Sequence, residues 1–444
     1  MAYPVCATVR PAEGQKTTPQ WRNWAGNQRA TATELLNPAR IEEIAEEVRT
    51  AAERGRSVKV VGNSHSFSAI AVAEDQRLDL DRLSGPFVVD GDLVTVPAAM
   101  PMSRLNTLLA SHGLAMPSLG DIDAQTVAGA ISTGTHGTGA AHSTLASCVT
   151  ALTIVTGTGE IIRLDAGSDL FPAVRLGLGA LGILVDVTLR CVDAFSLLAD
   201  ERPMRLAEVL ARIDDDIAGN DHVDFYWYPY TDRAQLKRNN VVKVDDQPLP
   251  RWRRWLDDEF LANTAFERAC RLGRAVPAVV PAISAICARA LTARTYTGRS
   301  DRVFCTPRRV PFVEMEYAIP RAAMPSVLSA LPRILDGLPF KVQFPVEVRF
   351  TGPDDIWLSH SYGRESAYVA VHQFAGSSYE PYFRAVESMC ESLGGRPHWG
   401  KMHYRNAESL RRVYPRFDDF LAVRDRLDPA RVFTNPYLTQ VLGP

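Results

Sequence analysis

The sequence lacks the features that hold a protein in a membrane or staple it with disulfides. No two cysteines form a Cys-x-x-Cys pair, and their number is odd: Cys6, Cys148, Cys191, Cys270, Cys287, Cys305 and Cys390. Such a set predicts reduced thiols rather than a disulfide frame or a zinc site. No basic start leads into an apolar run, and no uncharged apolar stretch reaches membrane-spanning length. We therefore expect a cytoplasmic protein whose membrane contact is peripheral at most.

Neither sign of charge dominates the chain. Lysine and arginine number 49 against 51 aspartates and glutamates, which leaves a net charge of −2. This balance predicts no polyanion-binding surface, so nucleic acid is not an expected partner. A chain of 444 residues with 46% hydrophobic content is long enough for two domains with ample core.

The first half of the chain predicts helices and short strands in no regular alternation. A helix is expected over 38–55, because Ile41, Ile44 and Val48 share one face, and a second over 102–112. Strands are expected at 57–61, 77–80, 87–89, 93–96, 152–155, 161–163 and 181–192. These elements predict small mixed sheets rather than a repeated βαβ unit.

Beyond residue 193 the predicted strands are longer. The residues at 222–230, 309–318, 341–350 and 367–374 are strand-like, whereas 251–294 predicts a basic helical segment. The sequence therefore predicts an α+β protein whose second domain is an open antiparallel sheet with helices on one face.

Residues 61–67 (VGNSHSF) run from a predicted strand directly into a turn of small residues with one histidine. Glycine and serine let backbone N–H groups approach an anion closely and form a concave nest. A plain surface turn is the alternative for this segment taken alone. A Ser–His nucleophile pair is disfavoured, because adjacent side chains on extended backbone point apart.

Residues 126–140 (TVAGAISTGTHGTGA) carry the strongest local signal. Side chains this small let the backbone lie along a ligand, and the hydroxyls of the serine and threonines can donate to a pyrophosphate. The pattern is neither a P-loop nor a dinucleotide fingerprint, since the required glycine order and the Lys-Ser/Thr ending are missing. A tight helix-packing patch is the alternative.

Glu347 and Arg349 lie two residues apart on a predicted strand, so their side chains share one face. A carboxylate beside a guanidinium forms a clamp for a polyol or a carbonyl. A surface ion pair on an edge strand is the alternative. His372, on another strand-like run, could complete the same wall, although a lone strand histidine is more often a satisfied core residue.

Residues 396–401 (RPHWGK) place a histidine, a tryptophan and Lys401 at a bend that contains glycine. A lysine held against apolar rings can act as a fixed positive charge or as a base, which suits an anionic intermediate or a reduced cofactor. An ordinary turn is the alternative. The pairs His398/His403 and His136/His142 lack helical spacing with a third ligand nearby, so no metal site is predicted.

Together these segments resemble the FAD-dependent aldonolactone oxidoreductases of the vanillyl-alcohol-oxidase superfamily, which include L-gulono-1,4-lactone oxidases and dehydrogenases and D-arabinono-1,4-lactone oxidases. The resemblance runs in order from 23–26 (NWAG) to 427–437, and 315–321 and 346–350 are similar to the lactone branch. It implies an N-terminal extension at 1–19, a two-lobed PCMH-type FAD-binding domain at 20–195, a cap domain at 196–410, and a segment at 411–444 that returns to the FAD domain.

The resemblance also implies which residues hold FAD. The turn at 61–66 cradles the pyrophosphate, and His65 is bonded to the flavin 8α-methyl group, with Ser64 in place of the glycine that most members have. Ile183 holds the adenine side, and His398 lies near the flavin ring. The implied FAD-binding set is Gly62, Asn63, Ser64, His65, Ser66, Gly120, Asp121, Thr126, Gly129, Thr133, Gly134, Thr135, His136, Ile183 and His398.

Glu347, Arg349 and Lys401 match the family's catalytic set, and Asp121 and His372 stand in its substrate pocket. The implied reaction removes a hydroxyl proton while hydride passes from the same carbon to flavin N5. A lactone C2 alcohol becomes a ketone, which tautomerises to an enediol such as ascorbate. In this interpretation Glu347 and Arg349 orient the diol, and Lys401 supports the anionic reduced ring near N1/C2=O.

Two alternatives stay open at this stage. Alditol (xylitol or sorbitol) oxidases, close relatives, have serine where Asp121 stands and threonine where His372 stands, and a catalytically silent flavin-binding protein would share the fold. Gly120 stands where a small residue lets oxygen reach the flavin, which favours an oxidase, whereas mycobacterial-type relatives use another acceptor. The expected partners are a sugar lactone or polyol, and oxygen or an electron acceptor.

Overall fold

The computed structural model describes residues 20–243 and 247–444. The extension predicted at 1–19 lies outside the described residues. In the first part of the chain the strands are β1 (Trp21–Arg22), β2 (Arg29–Ala30), β3 (Glu34–Leu36), β4 (Val58–Val60), β5 (Gln76–Leu78), β6 (Val88–Asp90), β7 (Leu93–Pro97), β8 (Leu114–Ala115), β9 (Val149–Val155), β10 (Ile161–Asp165), β11 (Ile183–Arg190) and β12 (Val192–Asp193). The helices there are α1 (Ile41–Glu53), α2 (Met102–Ser111), α3 (Val127–Ser132) and α4 (Phe171–Val174).

In the second part of the chain the strands are β13 (Ser196–Arg205), β14 (His222–Trp227), β15 (Arg233–Val242), β16 (Arg294–Arg299), β17 (Phe312–Pro320), β18 (Val346–Thr351), β19 (Ser366–Phe374) and β20 (Arg396–Pro397). The helices are α5 (Leu206–Gly219), α6 (Arg251–Arg254), α7 (Phe266–Ala275), α8 (Val280–Ala290), α9 (Ser300–Phe304), α10 (Met324–Asp336), α11 (Glu380–Ser392), α12 (Ala407–Arg411), α13 (Phe417–Leu427) and α14 (Pro436–Leu442). A π-helical stretch, Trp255–Ala265, joins α6 to α7.

The first part of the chain builds two larger sheets. Strands β3, β5 and β4 form a parallel sheet in that order, and β10-β9-β11-β7-β6 form an antiparallel sheet. The expectation of mixed sheets is therefore wrong. Helix α1 carries the chain from β3 back to the start of β4, which makes these strands parallel, whereas a tight turn joins β9 to β10 and makes them antiparallel.

The second part of the chain forms an eight-stranded antiparallel sheet in the order β16-β13-β15-β14-β18-β19-β17-β20. One face is apolar, since alternate residues such as Phe225, Met315 and Val348 are buried against helices α5, α10 and α11. The other face carries the intervening polar residues. The α+β prediction and the open antiparallel sheet are confirmed. The helices are not confined to one face, because the segment at 255–290 lies over the polar face, where Asp258 pairs with Arg294.

The sequence analysis did not predict three elements of this region: the strands β13 and β15 and the helix α5. The strand β13 reads SLLADERPMR, whose second half is charged and contains Pro203, so it lacks an apolar alternation. Its strand conformation is stabilised by antiparallel pairing with β15 along its whole length, and its own sequence pattern does not predict it. The helix predicted over 251–294 ends earlier, because the chain pairs with β13 from Arg294 onward as β16.

The last helices lie against the first part of the chain. Phe420 of α13 and Leu438 of α14 belong to the same buried cluster as Val94 of β7 and Leu152 of β9. The domain limits stated above stay a prediction. Within residues 20–243 and 247–444, no helix is long and apolar enough to cross a bilayer.

The side chain of Asn435 connects α14 by hydrogen bonds to the turn that follows the small-residue segment 61–67. Its side-chain oxygen accepts a hydrogen bond from the amide of Leu438, and its nitrogen donates to three carbonyl oxygens between residues 69 and 72, at 2.9–3.2 Å. We expect Asn435→Ala to lower the free energy of unfolding by about 2–3 kcal/mol, because it removes a cap and leaves buried carbonyls without donors. Chemical denaturation would measure this.

Asn406→Ala is the matched control, because Asn406 caps the exposed start of α12 in the same way. It should cost about 1 kcal/mol or less. Equal losses in the two variants would show that the contacts of Asn435 with residues 69–72 contribute nothing.

Candidate active site

A cavity of about 670 Å³ lies between the polar face of the eight-stranded sheet and loops from the first part of the chain. The loops contribute residues around 65–67, 120–125 and 133–136, and the segment at 398–401 contributes a further wall. The cavity lining includes these residues predicted from the sequence: His65, Ser66, Gly120, Asp121, Thr133, Thr135, His136, Glu347, Arg349, His372, His398 and Lys401.

Glu347 and Arg349 form the centre of one charged network. The Arg349 guanidinium donates from Nε to Glu347 Oε1 at 2.7 Å, and its Nη2 lies 2.6 Å from Asp121 Oδ2. The Tyr226 hydroxyl lies 2.6 Å from the same Glu347 oxygen, and Arg308 reaches Asp121 at 2.8 Å. Strand β18 is central and buried, so this pair is not a surface ion pair on an edge strand.

Asp121 lies in this network between two guanidinium groups. Desolvation acts to raise the pKa of Asp121, but the charges of Arg349 and Arg308 hold this pKa well below its usual range. The carboxylate therefore stays ionised and fixes Arg349 against the loop that carries Gly120.

Lys401 belongs to a second charged group, which it forms with a carboxylate of strand β17, two strands away from β18 in the sheet. Its ammonium group forms an ion pair with Glu314 and lies 5.1 Å from the centre of the Phe67 ring. His372 Nε2 lies 3.5 Å from the other Glu314 oxygen. Burial acts to raise the pKa of Glu314, but the charges of Lys401 and His372 lower it to about 2. Glu314 is therefore an ionised anchor for the lysine.

Glu316, two residues further along β17, lies beside the histidines. His136 Nε2 is 3.3 Å from Glu316 Oε1, and these two side chains and His398 offer ligand atoms within 4.8 Å of one another. Sequence spacing could not reveal this group, because its members come from three distant segments. The absence of a resident metal stays a prediction.

The turn at 62–66 leaves several backbone N–H groups available. Ser64 has φ 60°, a left-handed conformation that favours glycine, and its hydroxyl accepts from Trp21 Nε1 at 2.8 Å. Within the described ranges, the amides of residues 63–66 have no hydrogen-bond acceptor, whereas Phe67 N donates to Gly400 O. Consecutive free amides around a left-handed residue form an anion-binding nest.

His65 is half-buried at the edge of the cavity. Its ring stacks on Trp24 with centroids 6.0 Å apart. Desolvation, with the charge of Lys401 nearby, lowers the pKa of His65 to about 4. The imidazole is therefore neutral at physiological pH, with a nitrogen lone pair available.

Two glycines let the backbone lie directly against side chains of other segments. A Cβ on Gly62 would lie 2.7 Å from Thr126 Oγ1, and one on Gly134 would lie 2.5 Å from His360 Cε1. The hydroxyl of Thr126 caps α3 by accepting from Gly129 N at 3.1 Å. Small residues are therefore required here for packing. The interpretation of 126–140 as a ligand-contacting segment stays a prediction.

Ile183 lies apart from the cavity. Its side chain is buried in a separate apolar cluster with Val58 and Val155. Other predicted residues that do not line the cavity are Gly62, Asn63, Ser64, Thr126, Gly129 and Gly134. Of these, Asn63 donates from its side-chain Nδ2 to Ala124 O at 2.6 Å, which connects the nest to the loop before α3.

The sequence analysis missed several residues of the cavity wall. Among them, Tyr226, Arg308, Glu314 and Glu316 pair with charged or hydrogen-bonding groups of predicted site residues. A signal existed for the two glutamates, since they alternate on a strand as Glu347 and Arg349 do. Arg308 precedes a strand without any such pattern.

These features fit FAD, which needs a site for an anionic pyrophosphate and a polar, enclosed space for its ring. The nest at 62–66 offers free amides to the anion, and the cavity next to it offers His65, Thr133, His398 and Lys401 as polar contacts.

Comparison with known proteins agrees with this fit. The model of the family described as D-arabinono-1,4-lactone oxidase matches residues 187–441, and that of an FAD binding domain matches residues 33–165. The chain is 41% identical to L-gulono-1,4-lactone dehydrogenase of Mycobacterium tuberculosis, over 96% of this chain and 100% of that protein. It is 31% identical to L-gulonolactone oxidase of Bos taurus, over 95% and 98%.

Among solved structures, a solvent-stable cholesterol oxidase superposes with a TM-score of 0.81 at 17% identity, over 96% of this chain and 98% of that one. This likeness supports the fold alone. From the family match and the two full-length relatives, the chain belongs to the D-arabinono-1,4-lactone oxidase family of FAD-dependent oxidoreductases.

Proposed function

We propose that this protein oxidises a sugar-1,4-lactone of the L-gulono or D-arabinono type at its C2 alcohol, giving an ascorbate-like product. The observation that carries the proposal is the convergence of Glu347, Arg349, Asp121 and Lys401 on one cavity beside the amide nest. The relatives named for lactones, which align over nearly the whole chain, support the substrate class.

Glu347 is proposed to receive the substrate hydroxyl. Its Oε1 accepts hydrogen bonds from Tyr226 and Arg349, whereas its Oε2 has no donor within the described residues. An oriented carboxylate with one free oxygen can accept a hydrogen bond from a hydroxyl and draw off its proton as hydride leaves the adjacent carbon.

Arg349 is proposed to hold the neighbouring oxygen of the lactone. The guanidinium is fixed on two sides by Glu347 and Asp121, so little side-chain freedom is lost when substrate binds. His372, held beside Glu314 on the same wall, is proposed to contact the outer part of the sugar.

Lys401 is proposed to stabilise negative charge that develops during the reaction. Its ammonium group is held by the buried carboxylate of Glu314 and lies on the Phe67 ring, so its charge is fixed before substrate arrives.

A bound FAD supplies the two-electron acceptor for the hydride. Residues 62–66, with Gly120, Thr133, Thr135, His136 and His398, are proposed to hold it.

His65 is proposed as the covalent attachment point for the flavin. The neutral imidazole described above has the free lone pair that such a bond requires. The hydroxyl of Ser64 is turned toward Trp21, so the serine does not cover the His65 ring.

The direct test is anaerobic reduction of the enzyme-bound flavin by a panel of lactones and alditols. We expect L-gulono- or D-arabinono-1,4-lactone to bleach the flavin absorbance and xylitol or sorbitol to leave it unchanged, because the clamp of Glu347, Arg349 and Asp121 matches the lactone branch. Admitting oxygen afterwards tests Gly120, whose missing side chain favours rapid reoxidation. Bleaching by xylitol alone would replace the lactone assignment with an alditol oxidase.

Replacing Lys401 tests the proposed electrostatic role. Lys401→Met should retain FAD but slow anaerobic bleaching at least ~100-fold, a typical cost of losing one preorganised charge. Lys401→Arg should recover part of the rate. Lys341→Met is the control, because that lysine also lies over an aromatic ring, Tyr230, but outside the cavity lining. An unchanged rate in Lys401→Met would remove Lys401 from the mechanism.

Replacing His65 tests the covalent bond. Acid-precipitated wild-type protein should stay yellow and fluorescent, whereas His65→Ala should release its flavin into the supernatant. His112→Ala serves as the control, because His112 is an exposed histidine outside the cavity lining. If the wild-type pellet is colourless, FAD is bound without a covalent link.

A further inference from the structure

The cavity extends beyond Glu347 toward strand β15, away from the part proposed to hold the flavin. Glu316 of β17, which lies beside His136, is on one side of Glu347 in the sheet, and Gln235 of β15 is on the other. Gln235 is paired with Tyr226 of β14, which is paired with Glu347. Two strand spacings, about 10 Å, therefore separate Gln235 from Glu347. This part of the cavity, between β15 and the helical segment at 255–290, is named the distal arm.

The sheet side of the distal arm carries polar groups without partners. Gln235 is buried, and its side-chain nitrogen donates to Glu201 at 3.3 Å, but its oxygen Oε1 has no hydrogen-bond donor. The Lys237 ammonium group lies 4.6 Å from the centre of the Tyr226 ring, and no described carboxylate lies within 4 Å of it. A buried acceptor without a donor is costly, so a ligand or water is expected to meet it. The distal arm therefore offers one free acceptor and one free donor.

The helical side of the distal arm is apolar and is built partly from small residues. Its lining includes Ala262, Ala265, Phe266, Ala269, Ile283 and Ile286. The arm opens to solvent beside Leu261 and Ile286, which are 42% and 64% exposed. One polar wall opposite one apolar wall suits a sugar ring, because the ring carries hydroxyls around its edge and carbon-bound hydrogens on its faces. A hydrocarbon would leave Gln235 Oε1 and Lys237 without partners.

Charge in the distal arm disfavours a phosphate group. Three carboxylates at its far end pair with Arg294: Glu201, Asp257 and Asp258. These carboxylates and the free oxygen of Gln235 outnumber the cations Arg294 and Lys237, so a phosphate would meet net repulsion. A neutral hydroxyl group can instead accept a hydrogen bond from Lys237 and donate one to Gln235. The occupant that matches the arm is therefore neutral and hydroxylated.

We propose that the distal arm binds a sugar unit attached to the exocyclic end of the lactone, so that the substrate class is a glycosylated aldono-1,4-lactone. The inference rests on the proposed function, because the arm begins where Glu347 holds the C2 alcohol. Lys237 donates to one hydroxyl of the added sugar, Gln235 Oε1 accepts from another, and a ring face packs against Phe266 and Ala269. Gln235 and Lys237 thus determine substrate preference and take no part in hydride transfer.

The test is anaerobic flavin reduction by L-gulono-1,4-lactone and by its 6-O-α- and 6-O-β-glucosyl derivatives, followed by stopped-flow absorbance. We expect one glucosyl derivative to reach half-saturation at a concentration at least ~10-fold lower than the plain lactone, because the added hydrogen bonds contribute binding. The limiting rate of bleaching should stay the same, since this binding is equal in the ground state and the transition state.

Substitutions in the distal arm should remove this preference. Lys237→Met and Gln235→Leu should each reduce the ratio of half-saturating concentrations at least ~3-fold, from the loss of one hydrogen bond. Ala269→Phe, which fills the arm from the helical side, should abolish the preference. Lys243→Met and Ala275→Phe are the matched controls, because both residues are exposed and lie outside the cavity lining. The controls should keep the wild-type ratio.

Two further derivatives distinguish the possible occupants. The 6-phosphate tests an anion, and the 6-O-cyclohexyl ether presents a ring without hydroxyls. A preference for either one over both glucosyl derivatives, no glucosyl preference at all, or a preference that persists in Ala269→Phe would overturn the proposal while lactone oxidation stands. If none of these lactones bleaches the flavin, the proposed function fails, and the assignment of the distal arm fails with it.

Discussion

The alternation of side chains along β17 and β18 is the constraint on which the site depends. Successive residues of a strand face opposite sides of a sheet, so Met315 and Val348 enter the apolar layer while Glu314, Glu347 and Arg349 face the cavity. A sheet packed on helices by one face must present its other set of residues to the opposite side. Here the FAD-binding part of the chain covers that side, so it does not face solvent.

Placing so many charges in a largely enclosed space requires that each be paired. Removing one partner of a buried ion pair costs about 3–5 kcal/mol, because the remaining charge is left without compensation. The pairs Arg349–Asp121 and Lys401–Glu314 meet this requirement, and each joins separate segments of the chain. The same pairing makes the site rigid before any ligand binds, which suits a reaction that depends on position and fixed charge.

Local patterns were sufficient where one segment contained the whole signal. The two-residue spacing of Glu347 and Arg349 predicted a shared face, and the glycine- and serine-rich turn at 61–67 predicted free amides. Patterns failed where the partner lay far away. Arg308 and Tyr226 contact Asp121 across separations of 187 and 105 residues, and the strand β13 is defined by its neighbours rather than by its own residues.

The sequence by itself determined the α+β class, the apolar and polar faces of the longer strands, and the residue types at the site, because these follow from periodicity and side-chain chemistry. Only the tertiary structure decided that Glu314 anchors Lys401, that Asp121 fixes Arg349, and that His136 lies beside Glu316. Such contacts depend on strand order and loop closure, and no local rule relates residues that are separated by most of a domain.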